Sequence, residues 1–185
     1  MQKLVDIDAL KNRVINTIRE VPDFPKVGIN FKDITPVLQD IALFNSVIDH
    51  FHSEVLEHKV DSVLGIESRG FLFGIPLASK LNKPFAPVRK PGKLPAETVK
   101  ESYILEYGED SLEIHKDAFD ANKGRNILIV DDLLATGGTA LATYKLAKKL
   151  GAENVTLITL IELSFLNGRD KLEEAGLNVK SMISY

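Results

Sequence analysis

The sequence contains no cysteine, and this absence excludes several kinds of chemistry. The chain can form no disulfide, thiolate nucleophile, cysteine-ligated zinc site or iron–sulfur cluster. Long apolar runs are also lacking. The longest, residues 71–78 and 156–163, are far shorter than the roughly 20 residues of a membrane-spanning helix. The first residues turn acidic before any apolar stretch forms, so we expect no signal peptide, no membrane association and a cytoplasmic protein.

The sequence also lacks an excess of basic residues. It has 23 Lys and Arg against 26 Asp and Glu, a net charge of −3, so we expect no nucleic-acid partner. Clustered basic residues could still bind an anionic substrate. With 185 residues, 44% of them apolar, and no Pro/Gly/Ser-rich linker, the chain is predicted to form one domain, residues 1–185.

Short apolar runs alternate with segments of helical periodicity. This alternation predicts an α/β fold, a mostly parallel twisted sheet with helices on both faces. The predicted strands are 63–66, 85–88 (near a sheet edge), 127–130, 155–161 and 179–183. The predicted helices are 7–18, 41–59, 70–81, 139–150 and 168–175. Residues 102–107 and 111–115 are expected to form a hairpin around Gly108, and residues 23–33 a loop.

Charged residues follow the predicted strands. In a parallel sheet with right-handed crossovers, the carboxyl ends of the strands share one edge, where ligands bind. The positions at that edge are Glu67, Arg89, Asp131 and Glu162. The sequence therefore predicts a polar site there.

The strongest motif is the run from Val130 to Thr139, V-D-D-L-L-A-T-G-G-T. Glycines let backbone N–H groups approach a ligand, and a helix N-terminus attracts anions, so the run suits a phosphate monoester. Asp131 and Asp132 could accept hydrogen bonds from the two hydroxyls of an attached ribose. A simple helix cap at Thr139 would explain the glycines and threonine but leave the two carboxylates without a role.

Other motifs are missing. Gly65 and Gly70 have the first spacing of a P-loop, but Phe71 and Leu72 follow instead of Lys and Ser or Thr. The four histidines have no HExxH partner, and we interpret them as surface or core residues.

The run from Val130 to Thr139 resembles the signature of the type I phosphoribosyltransferases. Four further segments, in this order, resemble the adenine branch of that family: residues 24–33, 67–74, 88–95 and 105–108. The resemblance implies transfer of ribose 5-phosphate from phosphoribosyl pyrophosphate to adenine, giving AMP and pyrophosphate in purine salvage. Mg2+ would be carried by the substrate pyrophosphate.

The resemblance also implies a small N-terminal hood (about 1–35), a flexible hairpin lid (about 90–115), a homodimer and a cis peptide bond between Glu67 and Ser68. Lys32 stands where the family often has Arg.

The family's site residues carry over by position. The implied ribose-5-phosphate-binding residues are Asp131, Asp132, Ala135, Thr136, Gly137, Gly138 and Thr139. The implied pyrophosphate-binding residues are Glu67, Ser68, Arg69, Arg89 and Lys93. The implied adenine-binding residues are Asn30, Phe31, Lys32 and Leu133. Glu106, as general acid and base, and Arg69 are the implied catalytic residues.

Two alternatives stay open. An enzyme of the same class could use hypoxanthine, guanine, xanthine or orotate, although the segment 24–33 argues for adenine. A regulator that senses phosphoribosyl pyrophosphate and binds nucleic acid would need a winged helix or a basic face, and the sequence offers only one short helix before residues 24–33.

Overall fold

The computed structural model describes residues 6–105, 108–120 and 124–185. These residues form two compact units, of which the first ends at His50 and the second comprises Phe51–Tyr185. Within the described ranges, no helix has both the length and the apolar character needed to cross a membrane.

The first unit contains a two-stranded antiparallel sheet between helices. Its elements are α1 (Ile7–Thr17), β1 (Arg19–Pro22), β2 (Asn30–Asp33), α2 (Thr35–Gln39) and the first part of α3 (Ile41–Val55). The Asp6 carboxylate accepts a hydrogen bond from the Ala9 N–H at 3.1 Å and caps α1. The prediction of a loop over residues 23–33 is wrong for β2, because a strand this short and polar carries no alternating apolar pattern.

The second unit is built on a five-stranded parallel sheet in the order β4-β3-β7-β8-β9. Its strands and helices are β3 (Ser62–Ile66), α4 (Arg69–Leu81), β4 (Phe85–Val88), β5 (Thr98–Leu105), β6 (Gly108–His115), β7 (Asn126–Leu134), α5 (Gly138–Lys149), β8 (Asn154–Glu162), α6 (Gly168–Glu174) and β9 (Asn178–Ser184). This confirms the predicted fold class and the position of β4 at an edge. β5 and β6 form the predicted antiparallel hairpin, but Gly108 begins β6.

Both faces of this sheet are covered by helices. Alternate residues of the strands point to opposite faces, so Leu64 and Ile129 belong to a buried cluster with α5, α6 and the β5–β6 hairpin. On the other face α4 packs against β3 and β7 and buries Phe73 and Leu77. The two apolar layers hold the central strands in place, which fixes the positions of their carboxyl ends.

The central strand β7 is longer than the sequence predicted. Its pairing with β3 ends at Gly65 opposite Val130, whereas its pairing with β8 continues to Leu134 opposite Glu162. The prediction that the strand ends before Asp131 is therefore wrong. The strand continues past Val130 because β8 still pairs with its last residues.

A phenylalanine ring at the edge of the sheet occupies the space beside two glycines. A Cβ atom on Gly65 would lie 2.7 Å from the Phe85 ring, and one on Gly74 would lie 2.9 Å from it. The ring also contacts Phe71 edge to face, with centroids 5.9 Å apart. These contacts bring the first two turns of α4 close to β3.

We predict that Gly70→Ala destabilises the fold by about 1–3 kcal/mol, because overpacking forces a backbone shift. A Cβ at Gly70 would lie 2.5 Å from the Val130 carbonyl oxygen, which belongs to the backbone of β7. Urea unfolding measures the change. Ser79→Ala, on an exposed position of the same helix, is the control and should change the free energy of unfolding by less than about 0.5 kcal/mol. Equal stabilities for the two variants would contradict the close approach of α4 to β7.

Candidate active site

A cavity of about 260 Å³ lies where the loops after β3 and β7 meet. Its wall contains Ile66, Glu67, Arg69, Asp131, Asp132, Leu133, Leu134, Ala135, Thr136, Gly137, Gly138, Thr139, Ala140, Leu157 and Thr159. The structure thus brings together all seven predicted ribose-5-phosphate-binding residues, two predicted pyrophosphate-binding residues and Leu133.

The floor of the cavity is the loop between β7 and α5. Gly137 has φ = 76°, a left-handed conformation that favours glycine, and it precedes the first turn of α5. The loop also lies against α6, since a Cβ on Gly168 would be 2.0 Å from the Ala135 carbonyl oxygen. The resulting helix N-terminus presents backbone N–H groups and the hydroxyls of Thr136 and Thr139, an arrangement suited to a phosphate monoester.

Two adjacent carboxyl groups form one side of the cavity. The Asp131 Oδ1 atom accepts the Asp132 N–H at 2.9 Å, and the Arg69 Nε atom lies 3.1 Å from Asp132 Oδ2. Burial raises the pKa of Asp131 well above its usual range, and the Asp132 carboxylate raises it further. Burial also raises the pKa of Asp132, although Arg69 partly opposes that shift. Burying two negative charges side by side is therefore unfavourable at this site.

The Glu67 carboxylate contacts basic residues of the loop that follows β4. Its carboxylate lies 2.7 Å from Lys93 Nζ and accepts hydrogen bonds from Arg89 Nε at 3.3 Å and from the Lys90 N–H at 2.8 Å. Partial burial of Glu67 raises its pKa, but the bonds from Lys93, the Lys90 N–H and Arg89 outweigh burial and lower the pKa to about 2. Ser68 follows through a peptide bond that is cis, as expected from the family resemblance.

The β5–β6 hairpin is anchored to this charged loop by residues that the sequence analysis did not single out. Lys90 Nζ lies 2.6 Å from the Asp110 Oδ2 atom, to which the Tyr103 hydroxyl donates at 3.2 Å. Glu113 accepts the Gly92 N–H at 3.2 Å. The register pairs Tyr103 with Asp110, so extending the predicted hairpin by a few residues would have revealed this contact.

The other predicted adenine-binding residues lie on β2 of the first unit. Asn30 and Lys32 both donate hydrogen bonds to the Glu20 carboxylate, and Phe31 contacts Phe24 edge to face with ring centroids 5.2 Å apart. Glu20 was missed, although the cross-strand pairing of Glu20 with Lys32 is a recognisable charge pair. The placement of Asn30, Phe31 and Lys32 relative to Leu133 stays a prediction.

The predicted acid and base, Glu106, lies outside the described residues. Within the ranges that the structure describes, no group of three or more His, Cys, Asp or Glu side chains could hold a metal ion. A magnesium ion would find oxygen donors of the kind it prefers on Asp131 and Asp132 in the cavity wall.

A glycine-rich loop leads into a helix N-terminus at the carboxyl edge of the parallel sheet, and the family model described as "Phosphoribosyl transferase domain" matches residues 37–183. The adenine phosphoribosyltransferase of Thermoanaerobacter sp. (strain X514) is 55% identical over 168 residues, which cover 91% of this chain and 95% of the relative. The chain belongs to the adenine phosphoribosyltransferase family, which confirms the resemblance seen in the sequence.

Solved structures agree with this assignment. The crystal structure of adenine phosphoribosyltransferase from Thermoanaerobacter pseudethanolicus has a TM-score of 0.89 and 52% identity, covering 95% of this chain and 99% of its own. The Saccharomyces cerevisiae enzyme, solved with an imino-altritol bisphosphate and adenine, has a TM-score of 0.89 and 40% identity, covering 95% and 99% of the two chains.

The low pKa of Glu67 predicts a loss of stability in acid. An unfolded Glu67 would bind its proton near the ordinary pKa of 4.5 and the folded one near about 2. Between these values the unfolded chain binds more protons, so the stabilisation by Glu67 decreases as the pH falls from about 4.5 to about 2. Urea unfolding should show that wild type and Glu67→Gln differ less in their free energy of unfolding as the pH falls across this window. For Tyr144→Phe, which removes no carboxyl group, the difference from wild type should stay constant across this window. A constant difference for Glu67→Gln as well would contradict the prediction.

Proposed function

We propose that this chain transfers the 5-phosphoribosyl group of phosphoribosyl pyrophosphate to adenine and so serves purine salvage. The supporting observation is the cavity in which the loop over residues 135–139, Asp131, Asp132 and Arg69 meet. During the reaction the bond from the anomeric carbon to pyrophosphate breaks, and a bond to an imidazole nitrogen of adenine forms with inversion. The products are AMP and pyrophosphate.

The ribose 5-phosphate group is proposed to bind at the start of α5. The backbone N–H groups of Gly137, Gly138 and Thr139 and the hydroxyls of Thr136 and Thr139 donate to the phosphate, and Ala135 shapes the loop. Asp131 and Asp132 accept hydrogen bonds from the ribose hydroxyls. An anion at a helix N-terminus is stabilised by both the N–H groups and the helix dipole.

The pyrophosphate group is proposed to bind between the loops after β3 and β4. Arg69, Arg89 and Lys93 would supply positive charge, and Glu67 and Ser68 form the turn that follows β3. Donors fixed where negative charge develops lower the barrier to departure of a leaving group. Mg2+ brought in on the substrate would neutralise part of the pyrophosphate charge.

Adenine is proposed to stack between Phe31 and Leu133, while backbone groups around Asn30 and Lys32 read its polar edge. A purine with the reversed donor and acceptor pattern would leave buried groups unpaired, at a cost of about 1–3 kcal/mol each. Glu106 would accept the purine proton as the new bond forms and return it in the reverse reaction.

We also propose the larger organisation that the family resemblance implies. Residues 1–35 form a hood of the single phosphoribosyltransferase domain, and residues 90–115 form a lid that excludes water during transfer. The protein is proposed to act as a cytoplasmic homodimer without nucleic-acid or membrane partners. Solution scattering would test whether the protein is a homodimer. Electrophoretic mobility with duplex DNA would test whether it binds nucleic acid.

Product formation from phosphoribosyl pyrophosphate and Mg2+ tests the reaction and its base specificity together. We expect AMP with adenine and no nucleotide with hypoxanthine, guanine or orotate. Glu106→Gln purified in the same way controls for a contaminating host enzyme, because AMP formed by a contaminant would not decrease with this substitution. Product with another base would overturn the assignment of residues 24–33 to adenine, and no product with any base would favour the regulator.

Glu106→Gln should lower kcat at least tenfold and change the Kd for adenine by less than threefold, because general acid–base catalysis contributes about 10²–10⁴-fold while the amide keeps the size of the side chain. Steady-state kinetics and calorimetric titration measure the two effects. The matched control is Glu109→Gln, a change of the same kind in the same segment. Equal losses of kcat and adenine affinity would show that Glu106 binds the base and does not handle the proton.

A further inference from the structure

The Glu67 carboxylate makes the same kind of contacts that a pyrophosphate oxygen would make. Arg89 directs both Nε and Nη2 at it, at 3.3 and 3.4 Å, and Lys93 Nζ lies 2.7 Å away. The Lys90 N–H adds a fourth donor at 2.8 Å. The side chain of Glu67 is only 11% exposed and lines the cavity, so the cluster borders the cavity through Glu67.

The three cations of this loop do not all face Glu67. The Lys90 ammonium turns away to Asp110, whereas Arg89 also donates to the Lys93 carbonyl oxygen at 3.3 Å. Arg89 and Lys93 are therefore held as a pair around one carboxylate. Because Glu67 has a pKa of about 2, it carries its charge throughout the physiological pH range.

We propose that Glu67 is a positioning residue that acts as an internal counter-anion: it holds Arg89 and Lys93 beside the cavity and competes with pyrophosphate for them. This inference rests on the proposed function, in which these two cations bind pyrophosphate. An anion that uses the same donors must displace the carboxylate, and the negative charge of Glu67 repels it. Glu67 thereby preorganises the cations and also limits the affinity for the product pyrophosphate, which favours its release.

The test is the affinity of Glu67→Gln for pyrophosphate, measured by calorimetric titration with and without Mg2+. The amide keeps the shape of the side chain and can still accept the Lys90 N–H. We expect the Kd for pyrophosphate to fall about 3- to 10-fold in both conditions, while the Kd for ribose 5-phosphate, which binds at α5, stays unchanged. A side chain with a merely structural role could not tighten binding when altered.

The matched control is Glu113→Gln, which removes a carboxylate that contacts the same loop through the Gly92 N–H. It should leave the Kd for pyrophosphate unchanged. Glu67→Asp, which keeps the charge but shortens the reach, should tighten binding less than Glu67→Gln and serves if the latter does not fold. In a Lys93→Gln background, Glu67→Gln should lower the Kd for pyrophosphate by a smaller factor, because one of the two cations that Glu67 and pyrophosphate share is gone.

Unchanged or weaker pyrophosphate binding by Glu67→Gln would overturn the inference, and weakening seen only with Mg2+ would assign Glu67 to the metal instead. Parallel changes in ribose 5-phosphate affinity would also overturn it, because they would show a general effect on the site. If wild type does not bind pyrophosphate at all, the proposed pyrophosphate subsite fails together with this inference, whereas wild-type binding matched by Glu67→Gln overturns the inference alone.

Discussion

The site depends on the unequal pairing of the central strand β7. Its pairing with β3 ends at Val130, whereas its pairing with β8 continues to Leu134. The last residues of β7 are held in register by β8, and β3 does not pair with them on the other side. Asp131 and Asp132 therefore belong to a strand that is paired with β8 and yet border a cavity, and the loop that follows leads into α5. Rigid placement of binding groups reduces the entropy lost when a ligand binds.

The charges around the cavity are organised as internal pairs. Arg69 pairs with Asp132, and Arg89 and Lys93 pair with Glu67. Such pairs orient long side chains that would otherwise be mobile, at a modest electrostatic gain because they are partly exposed. The hairpin is joined to the same network, since Asp110 accepts from both Lys90 and Tyr103. A ligand that changes one pair would therefore act on residues in several elements.

Much of this architecture is predictable from the sequence, because the sheet strands are apolar runs between helices of clear periodicity. The glycine- and threonine-rich loop is equally recognisable, since its chemistry lies in consecutive residues. What the sequence hides are strands that carry no apolar alternation, such as β2, and the extension of β7, which depends on its neighbour β8. Pairs between distant residues, such as Arg69 with Asp132, are also hidden, because local pattern holds no information about which strand lies next to which.

The ring of Phe85 takes up the room that side chains at positions 65 and 74 would need. We therefore expect substitutions at these three positions to be coupled. A relative with a smaller residue in place of Phe85 could accept alanine at position 65 or 74, whereas alanine introduced alone would force the Phe85 ring to move. Within the family, the size of the side chain at position 85 should vary inversely with the sizes at the two glycine positions.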